Sequence, residues 1–89
     1  MDRPATVRAD AYEATEADEE LFGRLRSLRK RLAQERGVPA YVVFSDATLR
    51  AMVRRRPQTL EQMLEVSGVG AKKLETYGEE FLDEIRSQG

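Results

Sequence analysis

The 89-residue chain contains no histidine and no cysteine. That removes thiol nucleophiles, Cys/His zinc sites, disulfides and every acid–base arrangement built on imidazole. Carboxylates are the remaining catalytic candidates, and they come in adjacent pairs: Glu19/Glu20, Glu79/Glu80 and Asp83/Glu84. Each pair falls on the solvent side of a predicted helix. No lysine or serine stands at a spacing that would make it a general acid or base partner. A two-metal carboxylate site is the one catalytic option left, and nothing in the spacing favours it. At 89 residues the chain also has little material for an enclosed cavity. These residues describe a binding module and not an enzyme.

Two groupings suit binding. Tyr41 follows a strongly basic stretch, and an aromatic face with nearby cations is what a single-stranded nucleic acid needs for stacking and backbone neutralisation. The same residue type also serves as a core tyrosine with a satisfied hydroxyl, and spacing does not choose between the two. The second grouping is Gly68-Val69-Gly70 between two predicted helices, which has the form of a helix-hairpin-helix turn. Such a turn leaves N–H groups at the next helix N-terminus free for a phosphate, with Lys72 and Lys73 in the first turn to help hold it. The glycines equally permit a sharp corner with Val69 plugging the core. Because Glu65 and Glu75 surround the turn with negative charge, the corner is the preferred reading.

The formal net charge of −1 conceals a division into three. Residues 1–20 carry an excess of five negative charges and residues 58–89 an excess of four. Between them, residues 21–57 hold ten cations against two anions. Nine of those ten are arginine, whose planar fork suits phosphates and stacks on bases. A positive face for polyanions, gathered on one outward patch, is one expectation; solvated helix faces are the other. At 40% hydrophobic and 35% charged, the chain is too apolar for disorder, and no apolar stretch is long enough to span a membrane. Nor does the N-terminus carry a secretory apolar segment, so a cytoplasmic location is expected.

The elements that must position these residues follow from caps and periodicity. Residues 1–15 are read as an acidic tail or interdomain linker, and residues 16–88 as the folded domain. Thr15 and Asp18 form a capping-box pair for a helix from Glu16 to Arg36, with Leu21, Leu25, Leu28 and Leu32 as its apolar stripe. Gly37 and Pro39 end it. At about 100° per residue, Arg24 and Arg31 fall on one flank of the stripe, and Arg26, Arg29 and Lys30 on the other. Arg29 lies nearest the seam, with its stem partly buried. The run Val38–Phe44 has no second strand to pair with and is read as an extended or 3₁₀ connector, with Tyr41 near the surface. Ser45 caps a second helix ending near Arg55, ahead of Pro57. Thr59 and Gln62 cap a third, with Leu60, Met63, Leu64 and Val66 inward. Residues 71–77 give a fourth helix, separated by Gly78 from a fifth at 79–87. The fold class is therefore all-α, a bundle of five short helices with a helix-hairpin-helix-like turn.

Three segments in this order carry a family resemblance: Leu21-Phe22 through Leu28-Arg29, Val38-Pro39-Ala40-Tyr41-Val42-Val43-Phe44-Ser45-Asp46-Ala47-Thr48-Leu49, and Gly68-Val69-Gly70-Ala71-Lys72-Lys73-Leu74-Glu75 to Tyr77-Gly78. Over residues 18–87 the chain resembles the HRDC (helicase and RNase D C-terminal) domain of bacterial RecQ-type ATP-dependent DNA helicases. Ribonuclease D also carries such domains, and the wording around Tyr41 leans towards the helicase type. The resemblance implies a non-catalytic nucleic-acid-binding module that contacts single-stranded or branched DNA weakly and tunes its parent's substrate choice in DNA repair and recombination. ATP and Mg belong to the parent's motor domains, and no cofactor or metal is expected here. Carried over residue by residue, the resemblance nominates Tyr41 with Arg24, Arg26 and Lys30. Other domains of the parent helicase are implied partners, and a monomer in the bacterial nucleoid is expected. Two departures stand out: the second proline before the tyrosine is Ala40 here, and the flanks are more acidic than the DNA-binding members of the family. An acidic copy suits an alternative role, contacting the parent helicase or another protein and modulating its DNA binding and ATPase.

Overall fold

The computed structural model describes residues 14–87; residues 1–13 and 88–89, including the expected tail, lie outside the described residues. Among the described residues five helices follow one another: α1 (Glu16–Arg36), α2 (Ala40–Val43), α3 (Asp46–Arg55), α4 (Leu60–Leu64) and α5 (Ala71–Arg86). No strand occurs among the described residues, and no helix is long and apolar enough to cross a membrane.

Local capping explains the well-defined ends. At the start of α1, Asp18 N–H donates to Thr15 Oγ1 at 3.1 Å and Thr15 N–H to Asp18 Oδ2 at 3.0 Å, a reciprocal box that satisfies two orphan donors. Gly37 closes α1 at φ 68°, the left-handed conformation open to glycine. Ser45 Oγ accepts from Thr48 N–H at 3.2 Å to start α3. Thr59 caps α4 by accepting from Gln62 N–H at 3.1 Å. The Gln62 side chain reaches one residue further back than a capping box requires and accepts from Gln58 N–H at 2.7 Å.

The helix count matches expectation, but its composition does not. Val38–Phe44 is not an extended or 3₁₀ connector. Pro39 (φ −63°) is the N-cap of a single α-turn, with Val42 N–H bonded to Pro39 C=O and Phe44 N–H to Ala40 C=O. One turn puts Val43 and Phe44 into the core while Tyr41 and Val42 stay outside. The expected fourth and fifth helices are one, because α5 runs unbroken through Gly78. A glycine inside a helix costs about 1 kcal/mol relative to alanine. Here its missing side chain makes room: a Cβ at Gly78 would stand 2.8 Å from Leu74 Cδ1 and 3.4 Å from Leu60 Cδ2. Leu64, expected inward, is 45% exposed. With α4 only five residues long, Met63 and Val66 take the inward positions, and Leu60 and Leu64 share the outer side.

The core is built along α1, whose Leu21, Phe22, Leu25, Leu28 and Leu32 are all buried. Phe44 lies at its centre, edge-to-face with Phe81 at 4.9 Å and with Tyr77 at 5.9 Å between ring centroids. Phe44 and Phe81 are thus the packing link between the α2–α3 junction and α5.

Candidate nucleic-acid interface

The surface around Tyr41 is fixed from below by Arg29. This side chain is 9% exposed, and its Nη1 donates to the Phe44 carbonyl at 3.0 Å. Its Nη2 pairs with Asp46 Oδ1 at 2.8 Å. The guanidinium therefore ties α1 to the residues between α2 and α3, satisfying a buried carbonyl that no helix accounts for. Sequence spacing placed Arg29 against a neighbouring element, and that is where it lies.

With α2 held in this way, Arg26 and Lys30 line an open hollow of about 420 Å³ together with Gly23, Ser27, Arg29 and Ala40. The two cations sit one turn apart on α1, as do Gly23 and Ser27, which also line the neighbouring hollow around Arg24. Among the described residues no carboxylate lies within ion-pair distance of Arg26 or Lys30. Arg26 instead reaches over the Phe22 ring, 5.8 Å from its centroid. Tyr41, the residue after Ala40, is 71% exposed, and Val42 beside it is 38% exposed. The structure thus answers the question that spacing left open: Tyr41 is a surface aromatic.

Arg24 is placed differently. It occupies the other flank of α1, in a larger hollow shared with Leu28 and Arg31. There it pairs with Glu20 at 3.7 Å and with Glu84 of α5 at 3.5 Å. Arg31 pairs with Glu35 and Glu80, Arg50 with Glu19, and Arg56 with Asp18. The expected single cationic patch is accordingly narrower than the sequence count suggests. The acidic flanks fold back onto Arg24, Arg31, Arg50 and Arg56. Arg26 and Lys30, in the hollow that Ala40 also lines, have no ion-pair partner among the described residues, and nor do Arg36 and Arg55.

Lys72 and Lys73 stand at the start of α5 and do not line the Arg26–Lys30 hollow. Lys72 is exposed. Lys73 is half-buried, with Nζ 5.8 Å from the centroid of the Phe44 ring. The Gly68–Gly70 turn has the tight geometry of a corner. Gly68 is at φ 92°, and a Cβ there would overlap the Thr48 side chain of α3. Val69 is buried in the core, as the corner reading requires. Among the described residues no group of three or more acidic side chains is placed to hold a metal ion.

Gly23 and Ser27, shared by the Arg26–Lys30 hollow and the one around Arg24, escaped sequence reasoning, although their i, i+4 spacing between cations was readable. Ala40 escaped it too, since its position against α1 depends on the α2 turn.

The chain matches the family model described as "HRDC domain" over residues 18–85. It is 42% identical over 82 residues to "ATP-dependent DNA helicase RecQ" of Pasteurella multocida, covering 92% of this chain and 13% of that protein. It is 43% identical over 75 residues to "ATP-dependent DNA helicase UvrD2" of Mycobacterium tuberculosis, covering 84% of this chain and 11% of that protein. The solved structure "D. radiodurans RecQ HRDC domain 3" superposes with a TM-score of 0.76 at 46% identity, over 79% of this chain and 92% of that one. The chain thus spans only a small part of the helicases it matches and nearly all of that solved domain.

Proposed function

The chain belongs to the HRDC domain family, a non-catalytic accessory domain, and from that premise we propose that it is the nucleic-acid-binding module of a RecQ-type DNA helicase. The module contacts single-stranded or branched DNA weakly as a monomer, through Tyr41, Arg26 and Lys30, while ATP and Mg serve the parent's motor domains. A base stacks on the Tyr41 ring, and the phosphates on either side run past the two cations of α1. The observation that carries this reading is the exposed Tyr41 beside an open hollow whose Arg26 and Lys30 have no ion-pair partner among the described residues. Arg24, held by Glu20 and Glu84, is a second-rank contact that must give up its carboxylates to reach DNA. Lys72 and Lys73 stand outside the Arg26–Lys30 hollow, with Lys73 Nζ 5.8 Å from the centroid of the Phe44 ring. The test is fluorescence anisotropy with a labelled oligothymidylate across a salt series. Binding should weaken steeply with salt, by about 0.7 logarithmic units per logarithmic unit of salt for each phosphate neutralised. Absent or salt-independent binding contradicts the reading.

A second reading, a regulatory copy that contacts protein, is supported by the acidic side of the molecule. Glu61, Glu75, Glu79 and Asp83 have no ion-pair partner among the described residues. On this reading, deleting the module from its parent raises the parent's DNA affinity or DNA-stimulated ATPase, and a fall in both opposes it.

A further inference from the structure

Leu60 and Leu64 are large apolar residues one turn apart on α4, 37% and 45% exposed. Leu60 stands between two open hollows along the α4–α5 seam, of about 490 and 510 Å³, and lines both of them, as does Glu79. Leu74 contributes to the first hollow and Leu82 to the second. The two hollows thus form one furrow with an apolar floor, with Leu60 of α4 lying close to Gly78 of α5 at its centre. Its rim is acidic: Glu75 on one side, Glu61 and Asp83 on the other, Glu79 between, none of them ion-paired among the described residues. Among the described residues, Arg86 is the one cation lining either hollow.

An apolar floor under unspent negative charge repels nucleic acid and anionic lipid and selects a cationic amphipathic partner. We propose that the α4–α5 furrow is a docking site for a basic amphipathic helix of a protein partner. The leucine-type side of that helix packs along Leu60 and Leu74 in the furrow and extends onto Leu64, one turn on along α4, and its arginines or lysines pair with Glu61, Glu75, Glu79 and Asp83. This inference deepens the protein-contacting reading by naming its site and the chemistry of its partner, and it leaves the Tyr41 surface free for DNA.

The test is an ¹⁵N-HSQC titration of the 89-residue chain with a synthetic amphipathic helix bearing leucines along one face and arginines on the rest. A control peptide has the same composition with the leucines scattered. Shifts should concentrate at Leu60, Leu64, Glu79 and Asp83 and spare Arg26, Lys30 and Tyr41. The scattered peptide should bind about tenfold more weakly. Leu64→Ser and the double variant Glu79→Lys/Asp83→Lys, all surface changes, should each weaken the segregated peptide by about tenfold while preserving the dispersed spectrum. Equal binding of the two peptides overturns the proposal, as do shifts centred elsewhere. Concentration-dependent shifts at the same residues without peptide also overturn it, since they identify a second copy of this chain as the occupant. Failure of the peptide test with a positive parent-deletion test rejects the furrow and keeps the protein-contacting reading.

Discussion

Replacing Arg29 with methionine keeps the aliphatic stem and removes the guanidinium, which separates packing from polar anchoring. Two interactions are lost. The charge-assisted hydrogen bond to the buried Phe44 carbonyl contributes about 1.5–3 kcal/mol, because the carbonyl is left without a partner in a dry site. The pair with Asp46 is short, but the Asp46 side chain is 70% exposed, so solvent screening limits that part to about 0–1 kcal/mol. The expected loss is therefore about 1.5–4 kcal/mol, a drop in Tm on the order of 6–32 °C for a domain of this size. Urea denaturation followed by circular dichroism measures it. Asp46→Asn supplies the internal control: it should cost under about 1 kcal/mol, since only the screened pair is weakened. An Arg29→Met variant within about 0.5 kcal/mol of the parent chain would refute the argument that this side chain holds α2 in place. Equal costs for the two variants would show that the ion pair, and not the carbonyl, is the anchor.

Other expectations follow from the same geometry. Tyr41→Ala should leave stability within about 0.5 kcal/mol. It should weaken single-strand binding by about 1–3 kcal/mol, read by urea melts and anisotropy on the same samples. Arg26→Ala and Lys30→Ala should each lower the salt slope of binding by about 0.7, whereas Arg24→Ala, already paired with Glu20 and Glu84, should lower it much less. Gly68→Ala forces a side chain into left-handed backbone and into Thr48, so it should destabilise by about 2–4 kcal/mol without touching the Tyr41 surface.

The limits of sequence reading here have physical causes. Helices α1 and α3 were legible to within a residue because their ends are set locally, by Thr15, Gly37, Ser45 and Pro57 within the chain's own few neighbouring residues. Helix α2 was not, because a single turn has no period to detect and depends on Val43 and Phe44 finding the core. Gly78 read as a break because glycine is a poor helix former, and the space it leaves for the Leu74 side chain is visible only once α5 is packed. The two flanks of α1 could be anticipated from local spacing, whereas the exposure of Tyr41 could not, because it follows from the α2 turn that carries Val43 and Phe44 inward. The quenching of the basic third could not. Arg31 meets Glu80 across 49 residues, Arg50 meets Glu19 across 31 and Arg56 meets Asp18 across 38. Counting charge along a chain registers none of these pairings, so the count overstated the patch while giving its sign correctly at Arg26 and Lys30.

The most direct test of DNA binding at the α1–α2 surface is an ¹⁵N-HSQC titration of the chain with an oligothymidylate at low salt. The account predicts shifts confined to Gly23, Arg26, Ser27, Lys30 and Ala40–Val42, fading as salt is added. Shifts centred instead on Gly68–Lys73, or a spectrum that DNA leaves unchanged, would contradict it.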